Sequence, residues 1–403
     1  MNRGEAITTW LKPLRPVLDP GSQIDWTRLT TLAEALDRTL VTYPVGPDLP
    51  AGVERSDRLR AIRQDLADHG HIDTTDAPAL FQVLAQFVCG YRDIDLRDAT
   101  GLGHGSLIAR HGSPQARQRW IARLLGGELA GIAVTEPHGG SRLAETRTRA
   151  VAGSDGTWLV TGRKTWISRL TEAAVFVLFF RAPNGRLTAA VVDATEPGLH
   201  RQPIPPTGLA GWTWGVLDLD AVQVRQEDVL HGDGMVLLRE HFARYRPLVT
   251  ATALGGAAAV FDTVTRRLSG RQAAGELSRL RDSALITLGR THTQLATALL
   301  GAALASHLAE AGDANAELWG AATKAHGIDT ANAAAAELAL LLGASGFRAD
   351  CHTAKTRRDL SGLLYADGIH DSLYRAAGKH HTAREATALP APRSRLESVP
   401  MTA

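Results

Sequence analysis

The sequence predicts an α+β protein. A helical N-terminal domain is expected over residues 1–130, a middle β-domain over 131–234, and a C-terminal four-helix-type bundle over 235–388. Three observations predict it. Apolar residues recur at three- and four-residue spacing before Ala130. Short apolar or alternating runs, separated by Gly, Pro, Asp and Asn, follow as far as Leu219. Long Ala- and Val-rich helical stretches take over after Met235. A chain of 403 residues is too long for one small core, and 44% hydrophobic residues can bury a sizeable interior.

The N-terminal helices are expected at Trp26–Leu40, Ser56–Leu66 and Ala77–Val88. Ser113-Pro114 starts another, with Ser as N-cap and Pro at the first helical position. It runs through Trp120 to Leu125 and stops at Gly126-Gly127. Strands are expected at Gly131–Thr135, Trp158–Thr161, Val175–Phe180, Leu187–Val192 and Val216–Leu219, with turns at Ser154–Gly156 and Pro183–Gly185. The later helices are Tyr245–Leu268, Ser278–Glu310 and Asp313–Leu342, with Asp313 as N-cap of the last. Gly343–Gly346 breaks the pattern, and a final helix begins near His370. Residues 389–403, rich in Pro, Ser and Arg, are expected to form a disordered tail.

Lys plus Arg (44) nearly balances Asp plus Glu (42), so no nucleic-acid partner is implied. The first twenty residues lack the apolar stretch of a secretory leader, and no apolar run reaches the roughly 18 residues of a membrane span, so no membrane partner is expected. The only cysteines are Cys89 and Cys351, which leaves no disulfide scaffold or cysteine-based metal site and fits a reducing, cytoplasmic setting.

Several segments carry chemistry. Ala133–Arg142 reads as a strand end entering a Gly-rich turn, where backbone N–H groups and hydroxyls can face a ligand. Gly162–Ser168 places Trp166 beside Ile167 and Ser168 near a strand end, which suits a flat aromatic cofactor: the indole can cover a ring face and the hydroxyl can bond its edge. Tyr245-Arg246-Pro247 opens an Ala-rich helix. Arg271 has the planar fork that pairs with phosphate oxygens. Gly343 and Gly346 punctuate a turn before Phe347. Arg358-Asp359, the run Leu360–Leu364, and Tyr365–Gly368 complete the set.

In their order these segments resemble the acyl-CoA dehydrogenases, over Leu107 to about Lys379. Thr135, Glu136, Pro137, Gly140 and Ser141 match the family's Thr-Glu-Pro-x-x-Gly-Ser-Asp, and Gly162–Ser168 matches its Gly-x-Lys-x-Trp-Ile-Thr. The resemblance implies FAD, contacted by Val134, Thr135, Gly140, Ser141, Trp166, Ile167, Ser168, Gly343 and Gly346, and by Arg271 from a neighbouring subunit. A homodimer or homotetramer follows from that sharing. Ser141, Tyr245 and Arg246 are implied to lie near substrate.

The family's C-terminal Tyr-Glu-Gly-Thr falls on Tyr365–Ile369, placing Asp367, followed by Gly368, where the family keeps the Glu that removes the α-proton. Some branches carry that Glu on the Ala-rich helix instead, at the position of Tyr245, so the alternative base site holds no acid. The departures are Arg142 for Asp, Ala274 for Phe, Leu340 for Gln, Ala344 for Gly and Ile369 for Thr.

The implied activity is α,β-dehydrogenation of an acyl thioester on CoA or an acyl carrier protein, within bacterial secondary metabolism such as antibiotic assembly. Electrons would pass to an electron-transfer flavoprotein or to oxygen. Two other readings stay open. One is an oxidase or monooxygenase on the same fold, as in nitroalkane oxidase, whose base is an Asp. The other is a flavin-free, partner-binding scaffold.

Overall fold

The computed structural model describes residues 5–388. The tail expected over 389–403 lies outside the described residues. Six α-helices come first: α1 (Arg15–Leu18), α2 (Trp26–Thr42), α3 (Val53–Asp68), α4 (Ala79–Arg92), α5 (Ser106–His111) and α6 (Pro114–Leu125). Asp25 caps α2 by accepting from Arg28 N at 2.8 Å, and Ser113 caps α6 by accepting from Ala116 N at 3.0 Å.

Seven strands form one curled sheet: β1 (Ala130–Ala133), β2 (Arg149–Ala152), β3 (Trp158–Ser168), β4 (Val175–Arg181), β5 (Leu187–Asp193), β6 (Leu199–Pro203) and β7 (Trp214–Val224). Their order is β1-β4-β2-β3-β7-β6, with β5 also on β4. β1 and β2 run parallel to β4, and the other pairs are antiparallel. β4 is buried on both faces. Val175, Val177 and Phe179 pack with Trp120 and Leu124 of α6, while Phe176, Leu178 and Phe180 pack with Leu217 and Val222 inside the sheet. That double burial is why it reads as one continuous apolar run.

Helices α7 (Gly234–Ala273), α8 (Asp282–Glu310), α9 (Ala316–Leu340), α10 (His352–Leu363) and α11 (His370–Ala388) complete the chain. α7, α8 and α9 pack on one another, α4 lies across α7, and α10 and α11 lean on α9. Gly90 of α4 and Gly255 of α7 let the two backbones touch. A Cβ on Gly90 would sit 2.0 Å from the Thr252 carbonyl oxygen, and one on Gly255 would sit 2.1 Å from that of Phe87. The N-terminal helices and the C-terminal bundle therefore share one apolar core.

The structure differs from expectation at several elements. α7 starts at Gly234, because Asp233 caps it by accepting from Met235 N at 2.9 Å. It is long and apolar enough to cross a membrane by length and composition, but 78% of its most apolar stretch is buried among other helices. Asp313 does not cap α9. The capping position is Asn315, whose N–H donates to Asp313 Oδ1 at 2.7 Å. β2, β6 and α10 were not anticipated. β2 buries only Ala150, β6 buries nothing, and α10 turns a largely polar face inward.

Candidate active site

The loop leaving β1 is pinned to β3. Thr165 N donates to Thr135 O at 2.8 Å, and Lys164 Nζ donates to Val134 O at 3.1 Å and to Glu136 Oε1 at 2.9 Å. Burial works to raise Glu136, but bonds from Thr148 Oγ1, Lys164 and the amides of Arg147 and Thr148 outweigh it and hold the carboxyl at about 2. With Glu136 spent as a strut, the tip of the loop stands exposed. Val134 and Thr135 are half-buried, and Gly140 and Ser141 are exposed. Ser372, in the first turn of α11, donates to Ser141 Oγ at 3.2 Å.

β3 carries a register shift against β7 between Lys164 and Ile167. Trp166 sits at that bulge with φ 57°, and its residue surface is 58% exposed although Ile167 beside it is buried. A bulge re-aims a side chain, and left-handed backbone is costly for an aromatic residue. Ser168 is half-buried and accepts from Arg169 Nη1 at 2.7 Å. Arg169 also pairs with Asp98. A large exposed indole held at a bulge, beside a hydroxyl and a free glycine loop, fits a flat ring with a polar edge.

Asp367 lies between α10 and α11, with φ 56°, and Gly368 follows with φ 111°. Two cations hold this loop by its carbonyls. Arg246 Nε donates to Asp367 O at 3.0 Å, and Lys324 Nζ donates to Leu363 O at 3.0 Å and to Gly368 O at 2.8 Å. A Cβ on Gly368 would approach Arg246 Nη2 at 3.3 Å, so a bulkier residue would press on that contact. The Asp367 carboxylate accepts no hydrogen bond within the described structure, and the N–H groups of Asp367 and Gly368 donate none. Burial raises Asp367, against the opposing pull of Lys324, Arg169, Arg246 and Arg97. Lys324, 0% exposed, is lowered by the same burial to about 7 despite the nearby Asp367.

Tyr245 is buried and burial pushes its phenol up. Its ring stacks on His241 at 5.2 Å and packs on His104 at 4.5 Å, with His104 Nδ1 and His241 Nε2 3.0 Å apart. Burial lowers both imidazoles, His241 to about 3. Tyr245, His241, Arg97 and Leu363 help line a cavity of about 290 Å³.

The anticipated residues divide into two groups. Val134, Thr135, Gly140, Ser141, Trp166, Ile167 and Ser168 gather on β3 and the loop leaving β1, which Ser141 joins to the first turn of α11 through Ser372, while Arg246 holds the Asp367 loop from α7. Arg271 does not join them. It lies 25 residues beyond Arg246 on the same helix, about 37 Å away at 1.5 Å per residue, and pairs with Glu276 at 2.9 Å. Gly343 and Gly346 lie past the end of α9, remote from Lys324, where Leu340 and Phe347 are 80% and 94% exposed.

Sequence reasoning missed Arg97, Arg169 and Lys324. One signal was available: the chain has only five lysines, and Lys164, Lys324 and Lys355 are all buried. Asp359 also gains a role. With Asp93 and Asp95 it forms a carboxylate trio of metal-site dimensions, but Lys355 Nζ sits on all three at 2.6, 3.0 and 2.6 Å, which makes it an ion-pair cluster anchoring α10.

Two family models match this arrangement: the acyl-CoA dehydrogenase middle domain over residues 131–222, and the acyl-CoA dehydrogenase C-terminal domain over 232–380. The chain belongs to the acyl-CoA dehydrogenase family. It is 26% identical over 261 residues to a cyclohex-1-ene-1-carbonyl-CoA dehydrogenase of Geobacter metallireducens, covering 62% of this chain and 68% of that one. It is 30% identical to a probable short/branched chain specific acyl-CoA dehydrogenase of Dictyostelium discoideum, over 42% of this chain and 43% of the relative. In fold it is similar to a glutaryl-CoA dehydrogenase from Mycobacterium smegmatis in complex with FADH2 (TM-score 0.77, 20% identity, 91% and 97% of the two chains). It is also similar to the prolyl acyl carrier protein oxidase AnaB (TM-score 0.76, 17% identity, 89% and 99%). Against the family pattern, Arg142 is exposed and lies 3.7 Å from Glu145, while Ile369 and Leu340 turn large apolar surfaces outward.

Proposed function

We propose that this chain is an FAD-dependent dehydrogenase that oxidises an acyl thioester at its α,β-carbons, with Asp367 as the base. The observation that carries this is the Asp367 loop itself. Its carboxylate and two adjacent N–H groups are unpaired, while Arg246 and Lys324 fix its backbone from behind. Asp367 takes the α-proton, and the N–H of Asp367 or Gly368 polarises the thioester carbonyl, so charge developing on that oxygen meets a donor already in place. FAD, when bound, would supply the acceptor for the hydride lost from the β-carbon. Trp166, Ser168, Val134, Thr135, Gly140 and Ser141 are the residues that would hold the cofactor ring. Arg271, 25 residues along α7 from Arg246, is too far to reach the same ring, which supports its serving the cofactor of a second copy in a dimer or tetramer.

The reading is tested by mixing FAD-loaded protein anaerobically with short acyl-CoA and acyl-carrier thioesters. Flavin bleaching is expected with wild type and not with Asp367→Ala, and normal bleaching by the variant would remove Asp367 from the role. The similarity to a carrier-protein oxidase supports a second version, in which the acyl group rides on a carrier protein and oxygen reoxidises the flavin. Rapid reoxidation in air favours it, whereas dependence on an electron-transfer flavoprotein favours the dehydrogenase.

A further inference from the structure

Arg169 directly follows β3 and is 2% exposed. Its backbone is left-handed, at φ 57°, a conformation that a residue with a long side chain keeps only when its surroundings over-determine it. The two terminal nitrogens do so here. Nη2 donates to Asp98 Oδ1 in a buried ion pair, and Nη1 donates to Ser168 Oγ at 2.7 Å, while Nε has no acceptor. The Asp98 end ties the fork to the short turn Ile94–Asp98 of the helical region. The other end is spent on the hydroxyl two residues past the exposed Trp166 indole.

That bond fixes what Ser168 can do. A hydroxyl has one hydrogen to give and two lone pairs to receive, whereas a guanidinium only donates. Arg169 takes one lone pair, so the Ser168 hydrogen must point away from it. That hydrogen finds no acceptor among the described residues, although the side chain is half-buried. It is an unspent donor, and the cation bonded behind its oxygen makes it a stronger one. An oxidised flavin offers an acceptor nitrogen on its polar edge. In the reduced ring that nitrogen carries its own hydrogen, so the match is specific to the oxidised form.

We propose that Arg169 is a positioning residue: it locks the Ser168 hydroxyl as a hydrogen-bond donor to the ring edge of oxidised FAD, with Asp98 as its anchor. This rests on the FAD-dependent reading of the site and adds a residue behind the serine that meets the ring. Arg169 is also among the cations that act on Asp367, so a lock on Ser168 has to be told apart from a charge felt across space.

The test uses full-length protein with FAD: wild type, Ser168→Ala, the pair Asp98→Asn/Arg169→Met, all three changes together, and Arg169→Lys. The pair variant removes one charge of each sign, so the net charge near the ring is unchanged and neither ion is left buried without the other. Arg97, whose Nε lies 3.8 Å from Asp98, keeps Asp95 at 3.8 Å. Circular dichroism establishes folding. The Kd values for oxidised and reduced FAD, and the midpoint potential of bound FAD, are then measured without any thioester. Ser168→Ala is expected to bind oxidised FAD about 10-fold more weakly with reduced FAD little changed, which raises the potential by about 30 mV for two electrons. The pair variant should move both the same way, by about threefold and about 15 mV, and Arg169→Lys, which keeps one donor, should move them less. In the triple variant the pair should add nothing to Ser168→Ala, since both break one relay. A folded pair variant that leaves the potential unmoved, or that adds its full effect in the Ser168→Ala background, would overturn the lock. If the pair variant does not fold, Arg169→Lys is read against Ser168→Ala in the same way. Failure of folded wild type to bind FAD is a separate result: it removes the flavin reading of the site, and the role of Arg169 falls with it.

Discussion

In two places a buried lysine meets a loop carboxylate, and the outcomes are opposite. Lys164 and Glu136 are bonded at 2.9 Å, and Glu136 also accepts from Thr148 and two backbone amides, so the carboxyl settles at about 2. Lys324 spends its protons on the carbonyls of Leu363 and Gly368 instead, and Asp367 accepts nothing and is raised. One station is a strut that fixes a cofactor-facing loop. The other holds a backbone rigid and withholds hydrogen bonds from the acid. Charge alone does not separate a structural carboxylate from a reactive one, since both have an ammonium group nearby. Hydrogen-bond satisfaction does.

The sharpest way to break the comparison is Asp367→Asn. It keeps the shape and removes the base, and flavin bleaching should slow by about 1,000-fold, within the range for a general base. Because Asp367 is not tied to the fold, thermal stability should change little. Stopped-flow absorbance and a melting curve together check this, and a variant within tenfold of wild type would count against the base.

Glu136→Gln should do the reverse. Removing the charge from a buried pair costs about 3 kcal/mol, so Tm at pH 7 should fall clearly, while folded, loaded protein still bleaches at a near-normal rate. Since Glu136 lies lower in the folded state than its ordinary 4.5, its contribution is full above that value and is lost as pH falls toward about 2. Acid unfolding of wild type should therefore lose stability across that window, with a weaker slope in Glu136→Gln.

Much of this contrast was legible in the sequence, and its absences have physical causes. Asp367 could be placed because the count from Arg358-Asp359 runs without a gap and Tyr245 offers no acid. β4 could be placed because burial on both faces leaves Val175–Phe180 apolar throughout. β2, β6 and α10 bury too little, or bury the wrong chemistry: α10 turns Lys355, Thr356 and Asp359 inward, so its buried face has no apolar period. Lys324 and Arg97 were missed for a related reason. A lone cation in an Ala-rich helix or a short turn reads as surface until the packing shows it at 0% or 9% exposure.

Lys324→Met sharpens the comparison from the other side. The variant loses two bonds to the Asp367 loop and the cation that favours the ionised carboxylate. At pH 7 bleaching should fall about 10-fold, the scale of one or two lost charge-assisted bonds. The acid limb of the pH–rate profile should move to higher pH, because Asp367 becomes harder to ionise. Arg246, Arg169 and Arg97 still face Asp367, so the shift should be partial. In wild type, Lys324 at about 7 lies below the ordinary lysine value of 10.5, so the unfolded chain binds more protons between them and the fold gains stability as pH rises through that interval. Lys324→Met should lose this gain, and a variant with an unmoved profile would reduce Lys324 to packing.

The smallest expected effect on the fold comes from Trp166→Ala, between the two stations. The indole is 58% exposed and belongs to neither ion pair, so flavin-free protein should keep its stability within about 0.5 kcal/mol. If the side chain exists to cover a flavin ring, the same substitution should weaken FAD retention on gel filtration and weaken the gain in Tm on adding FAD. Unchanged FAD retention with lowered apo stability would make Trp166 part of the strut that Glu136 and Lys164 form, and would leave the carboxylate station as the sole evidence for where the flavin sits.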